Sequence, residues 1–353
     1  MTDRPSLLYG LAYALLVFSG IAQAELSSYA GSNKQLYATP RAKSLGGSDR
    51  SFARDGSPTS NPGSLVLDSI SEVGIGYASL YGNAAGYSTA WSVASISSHD
   101  AVALSLSYLL IPNIEITAGW PLDNNGNPIV PPESEWQRES ASEALFGVSF
   151  AHQFLTIHGI DIAGGAACEA FRKRLPLVDG FLTGYGIGLD AGVIARFRST
   201  GFRAGLNIEN LTTTYVHWNR SYSENELAHI RLGLGWEKDL PYVYGRLRAT
   251  YSSLDLLANE GVNVQKPGGT FGDSATIPLR LHLSKDPEFL LYGSYGLEYL
   301  IAQRLALRVG LRNGLLWSFG GGLNVWNQRL ALDFSYETHE LGGTPSLALS
   351  YRW

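Results

Sequence analysis

Period-2 alternation of apolar and polar residues runs along nearly the whole chain after residue 70, and it is the feature that most restricts the fold. Leu330, Leu332, Phe334 and Tyr336 alternate with Ala331, Asp333, Ser335 and Glu337. Leu305, Leu307, Val309 and Leu311 alternate with Arg304, Ala306, Arg308, Gly310 and Arg312, and Ile230, Leu232, Leu234 and Trp236 with Arg231, Gly233, Gly235 and Glu237. Such alternation marks strands with one apolar and one polar face. A β-sandwich shows it too, so the decision falls to the charged face and the connections.

The pattern predicts strands over 71–81, 86–97, 100–111, 142–153, 156–170, 184–198, 200–209, 227–238, 241–252, 289–300, 303–312, 315–326, 328–337 and 345–353. That is fourteen, an even number, as closed bacterial barrels require. With both termini periplasmic, the periplasmic connections are uniformly short (98–99, 154–155, 199, 239–240, 301–302 and 327). The long ones (112–141, 171–183, 210–226, 253–288 and 338–344) all face outward. This asymmetry is the one expected of a transmembrane β-barrel. Counting 113–119 and 275–284 as strands would give sixteen and turn the long loops into the periplasm. They are therefore read as strand extensions or loop hairpins outside the membrane.

Composition agrees. No run of 18 apolar residues follows residue 24, which excludes ordinary transmembrane helices. Yet the 353-residue chain carries 40 Gly, 19 Tyr and 8 Trp, and its mean hydropathy is −0.02. Lipid-facing and lumen-facing residues average out in this way in a barrel. The net charge of −5 argues against a nucleic-acid partner. Cys168 is the single cysteine, so no intramolecular disulfide forms.

The two ends are consistent with export. Arg4, the apolar Leu7–Ile21 and Ala22-Gln23-Ala24 read as a cleavable signal peptide over 1–24, cut after Ala24. In 345–353, Leu347, Leu349, Tyr351 and Trp353 share one strand face, with Ser346, Ala348, Ser350 and Arg352 on the other. A closing strand ending on an aromatic is the signal read by the barrel-assembly machinery, and Tyr351 and Trp353 would carry it. The expected location is the outer membrane of a Gram-negative-type bacterium. Residues 25–70 alternate little and are punctuated by Gly46-Gly47, Ser57-Pro58 and Asn61-Pro62. They are expected to form a hatch or plug inside a barrel spanning 71–353.

Within that segment, Pro40-Arg41-Ala42-Lys43-Ser44-Leu45-Gly46-Gly47 followed by Asn61-Pro62-Gly63-Ser64-Leu65 resembles the start of FadL-like outer-membrane proteins. The match is most similar to the PorV/PorQ subgroup, with Tyr108 to Thr117, Gly296-Leu297-Glu298-Tyr299 and Leu307-Arg308-Val309-Gly310 fitting too. Ser48 and Gly63 depart from the family pattern, each standing where Ala is usual. The resemblance implies a fourteen-stranded barrel with Asn61, Pro62 and Gly63 at a hatch turn. For the PorV/PorQ branch it implies binding of secreted proteins, or of translocon components, in type IX secretion. For FadL proper it implies uptake of hydrophobic small molecules. The residues themselves say only that Asn61 caps a turn and, preceding Pro62, avoids the α region. A purely structural barrel is the third reading.

The alternation sends Arg196, Arg198, Arg203, Arg231, Arg246, Arg248, Arg280, Arg304, Arg308 and Arg312 to the lumen, together with Asp190, Glu209, Glu237, Glu298, Asp333 and Glu337. An Arg on the lipid face costs about 2–4 kcal/mol at mid-bilayer. The lumen ladder is read first as an ion-paired packing layer, and second as an anion path. Outer-membrane lipid is the obligatory partner. No cofactor or metal is called for. The seven His (99, 152, 158, 217, 229, 282 and 339) make no ligand or nucleophile spacing, and the expectation is not an enzyme. Asp123–Pro128 imitates a calcium loop but has Gly at its fourth position and Ser134 at the twelfth.

Overall fold

The computed structural model describes residues 25–26, 36, 39–52, 60–68, 70–117, 120–121, 123, 128–211, 214–220, 223–226, 228–256, 293–313 and 316–353. The proposed signal peptide and the stretch 275–284 lie outside the described residues. Fourteen strands form the wall: β1 Glu72–Leu80, β2 Ala85–Ser95, β3 Asp100–Glu115, β4 Arg138–Ile157, β5 Ile160–Leu177, β6 Gly180–Phe197, β7 Phe202–Glu209, β8 His229–Leu240, β9 Gly245–Ser252, β10 Ser294–Ile301, β11 Leu305–Arg312, β12 Leu316–Val325, β13 Leu330–Glu337 and β14 Thr344–Arg352. Each pairs antiparallel with its sequence neighbours. β14 closes on β1, with Leu349 opposite Ile75, and β7 pairs with β8, so the sheet has no free edge. Closure satisfies the backbone groups that lipid cannot.

The outward positions are apolar: Ile75, Leu106, Phe150, Val193, Leu307, Phe334 and Leu349 are all exposed. Aromatic pairs edge this band. Tyr351 stacks on Trp353 at 6.3 Å near the short-turn end, and Tyr251 meets Tyr295 at 5.2 Å toward the other. These are the interfacial girdles of a membrane barrel. The short turns are tight. His158 and Gly159 connect β4 to β5 with φ of 49° and 79°, the left-handed pair that matches hairpin twist.

Three expectations are corrected. The first concerns 171–183, read as a long loop. Only Val178 and Asp179 separate β5 from β6, because 171–177 pair with 180–186. Arg172-Lys173-Arg174 imitates loop composition, but its alternation persists: Lys173 turns inward to Glu143 at 3.2 Å, while Arg172 is exposed on the outer side. The second concerns the bounds of the loop 112–141, which narrow because 113–115 is the strand extension that 113–119 was read to offer. β3 passes an irregularity between Ile111 and Ile114 and continues to Glu115, opposite Arg138. The third concerns the N-terminal side, expected at the periplasmic end. Glu25–Leu26 instead pair with Glu224–Asn225 in the connection after β7, at the long-loop end. Leu36 lies at that end as well, where its carbonyl accepts from Tyr87 Oη at 3.5 Å. The segment therefore runs down the lumen before β1 begins.

Candidate functional site: the N-terminal segment against the lumen wall

Residues 39–52 and 60–68 are almost wholly buried within the barrel, and local sequence explains their shape. Thr39 caps a short helix, α1 (Pro40–Ser44), its Oγ1 accepting from Ala42 N at 3.2 Å, with Pro40 at the first position. Gly46 and Gly47, at φ of 63° and 71°, end the helix. Further on, Asn61 begins a 3-10 turn over Pro62–Val66, its Oδ1 accepting from Gly63 N at 2.9 Å. Its amide Nδ2 donates across to the wall carbonyls of Val193 (2.9 Å) and Leu206 (3.2 Å). Asn61 thus shapes the turn and also fastens it to β6 and β7.

The wall makes room with glycines. A Cβ on Gly310 would lie 2.3 Å from Gly46 N, and one on Gly192 would lie 2.1 Å from Asn61 Oδ1. These glycines sit at lumen-facing positions of regular strands, where they signal close backbone approach.

Charge does the rest. Glu298 on β10 collects Arg41 of the segment at 3.2 Å, Arg248 at 2.9 Å and Arg308 at 2.6 Å. Arg308 reaches Asp333 at 2.6 Å, and Arg248 reaches Glu237 at 2.9 Å. Burial works against the Arg41 charge, but Glu298 and Asp49 outweigh it and hold the guanidinium above its ordinary range. Arg203 grips Asp68 with both nitrogens, at 2.9 and 3.2 Å. Phe52 lies beneath Arg203 and Arg248, 4.1 and 5.2 Å from its ring centre. Arg50 and Arg231 both bind Glu209, the latter at 3.4 Å. Lys43 is the exception: its Nζ has no hydrogen-bond partner, and burial pushes it down to about 8, partly opposed by Glu337.

Of the expected lumen ladder, Arg231, Arg248, Arg308, Glu298 and Asp333 join this network. Arg246 lies beside it, bound to Asp239 at 2.7 Å, and Arg312 meets Glu337 at 3.6 Å. Arg304 does not join: it stands exposed in the turn between β10 and β11, past the end of the paired strand. Arg280 lies outside the described residues. Sequence reasoning missed Asp161, which is fully buried and binds Arg196 and Arg198 at 2.7 and 2.6 Å, and Glu72, which binds Arg352 at 2.5 Å. The parity of their strands would have found both.

Toward the short-turn end a cavity of about 410 Å³ remains, lined by Arg41, Arg246, Arg248, Arg352, Glu72 and Trp91 among others. Among the described residues no group of His, Cys, Asp and Glu could hold a metal ion. His229 and Asp255 form a buried pair at 3.0 Å.

No protein-family model matches the chain, and no curated protein matches it. Solved structures do. The TodX deltaS2S3 mutant monoaromatic hydrocarbon channel superposes with a TM-score of 0.51 at 11% identity, covering 89% of this chain and 98% of that one. The Pseudomonas putida toluene transporter TodX gives 0.49 at 10%, covering 88% and 96%. A Pseudomonas aeruginosa FadL homologue gives 0.47 at 10%, covering 89% and 98%. These three neighbours are FadL-family outer-membrane barrels. At these identities the likeness is one of fold.

Proposed function

We propose that this chain is a gated outer-membrane channel for small apolar or acid-headed molecules, with residues 39–52 and 60–68 forming its hatch. One observation carries the reading. The segment lies buried in the lumen. Although Leu65, Val66 and Leu67 pack with Trp91, Val93 and Ile194 of the wall, much of its contact is made by ion pairs, hydrogen bonds and close glycine approaches. Hydrogen bonds and ion pairs can be exchanged for bonds to water at a net cost of about 0.5–3 kcal/mol each, so such a closure opens more readily than a wholly apolar one. Likeness of fold to a monoaromatic hydrocarbon channel supports an apolar substrate, and the cavity below the segment, where six arginines outnumber Glu72, Glu298 and Asp333, supports tolerance of an acidic head group. The test is uptake of toluene and of a labelled long-chain fatty acid by a Gram-negative host stripped of its own fatty-acid channel. Uptake of either above the empty-vector rate supports the reading; uptake of neither overturns it.

A second reading, PorV/PorQ-type binding of secreted protein cargo, is favoured by strand length. β3 to β6 have 16, 20, 18 and 18 residues, against 8 to 12 for the other strands. They rise beyond the membrane as a small sheet. Shortening the β5–β6 hairpin would abolish capture of a secreted protein under this reading and leave solute uptake intact under the first.

A further inference from the structure

The outward face of a membrane barrel should carry no charge, and nearly all of this one does not. The exceptions on β5 are Arg172 and Arg174. Inward neighbours Phe171 and Lys173 are buried, so both arginines point to the lipid side. Below them the outward positions of β5 are Ile162, Gly164, Ala166, Cys168 and Ala170. From Ile162 to Arg172 the strand climbs about 26 Å at ordinary rise and tilt, the height of a whole apolar band. The arginines therefore stand where the hydrocarbon ends on the long-loop side.

Their surroundings form a polar row. Arg172 lies opposite Tyr185 on β6 and Ala144 on β4, and Tyr185 lies opposite His217 of the hairpin strand Thr214–Trp218. In the next row Arg174 lies opposite Thr183 and Ser142. No carboxylate stands in either row. Asp179 at the hairpin tip is occupied by Arg220 at 2.6 Å, and the other outward arginine at this end, Arg138, is neutralised by Glu133 at 2.7 Å. Arg172 has neither ion pair nor side-chain hydrogen bond among the described residues. Arg174 places its guanidinium carbon over Phe181, 3.4 Å from the ring centre, and has neither ion pair nor side-chain hydrogen bond among the described residues.

We propose that this rim of β5 and β6 binds the phosphate of an outer-leaflet lipid headgroup, with Arg172 and Arg174 as the phosphate ligands and Tyr185 and His217 as flanking donors. Charge complementarity selects the occupant: two unneutralised guanidinium groups at headgroup depth match a phosphate ester, and the apolar strip beneath them matches its acyl chains. The proposal rests on the long-loop end facing outward and is independent of what crosses the lumen.

The test is native mass spectrometry of the detergent-solubilised full chain titrated with bis-phosphorylated lipid A, its dephosphorylated form and inorganic phosphate. Bis-phosphorylated lipid A should form a retained adduct. Arg172→Gln/Arg174→Gln should weaken it about tenfold, and Arg172→Lys/Arg174→Lys should keep most of it. Lys238→Gln, at the opposite end of the outward face, should leave it unchanged. Heat-modifiable gel migration checks that each variant is a folded barrel. No adduct in the wild type, equal affinity in the double Gln variant, equal binding of the dephosphorylated lipid, or displacement by inorganic phosphate at matched concentration would each overturn the proposal.

Discussion

Gly46 of the N-terminal segment lies back to back with Gly310 of the wall. A Cβ on Gly46 would sit 2.8 Å from the carbonyl carbon of Leu311, and one on Gly310 would sit 2.3 Å from Gly46 N. The segment is thus fitted to one strand at backbone range, and neither position has room for a methyl group. Gly46 carries a second demand, its φ of 63°.

Gly310→Ala should therefore push α1 off the wall without breaking the barrel, at about 1–3 kcal/mol of docking energy. Limited proteolysis should cut within 39–52 in the variant and spare it in the wild type. Equal protection of both would show that the contact is looser than described.

Glu298 holds three guanidinium groups at once. Glu298→Gln leaves Arg41, Arg248 and Arg308 facing one another in a buried site, with destabilisation of about 3–5 kcal/mol. Urea unfolding should register it as a lowered midpoint. Replacing Asp239, exposed at the short-turn end, with Asn should change that midpoint by less than about 1 kcal/mol.

Lys43 gives the segment a pH dependence. Its ordinary value of 10.5 falls to about 8 in the buried site. Above about 10.5 the amine is neutral whether docked or released. Between 8 and 10.5 docking expels a proton, so stability rises with pH through that window. Below 8 the full penalty, about 3 kcal/mol, applies. Comparing wild type with Lys43→Met from pH 7 to 10.5 isolates the effect: Tm should climb more steeply in the wild type. Parallel Tm curves would show that docking leaves the amine's titration unchanged.

Asn61→Ala removes the turn cap and both bonds to the wall carbonyls. The expected loss is about 2 kcal/mol, within the range for a cap and for newly unpaired buried groups. Faster hydrogen exchange confined to residues 61–68 would mark it.

Much of the wall is legible in the sequence because a strand's period of two writes burial directly into residue order. Leu330 to Glu337 shows both faces plainly. Arg172-Lys173-Arg174 did not show them, since three consecutive charges hide an alternation in which Lys173 alone turns in. Arg304 keeps the lumen parity of Arg308 but falls beyond the last paired residue, and parity does not mark where a strand ends. The path of the N-terminal segment is a matter of long-range partners, Leu36 with Tyr87 and Arg203 with Asp68, which no local pattern encodes. Its glycine sockets did leave a mark: Gly296, Gly310 and Gly320 occupy lumen positions of neighbouring strands, where an unoccupied lumen would have no use for them.

The proposed gate is tested most directly by fixing it in place. Ser48 Oγ lies 2.6 Å from Thr250 Oγ1, so S48C with T250C, in a chain carrying Cys168→Ser, should form a disulfide between segment and wall. In the oxidised state uptake of toluene and fatty acid should fall to the empty-vector rate, and reductant should restore it. Wild-type uptake through the locked barrel would contradict the account.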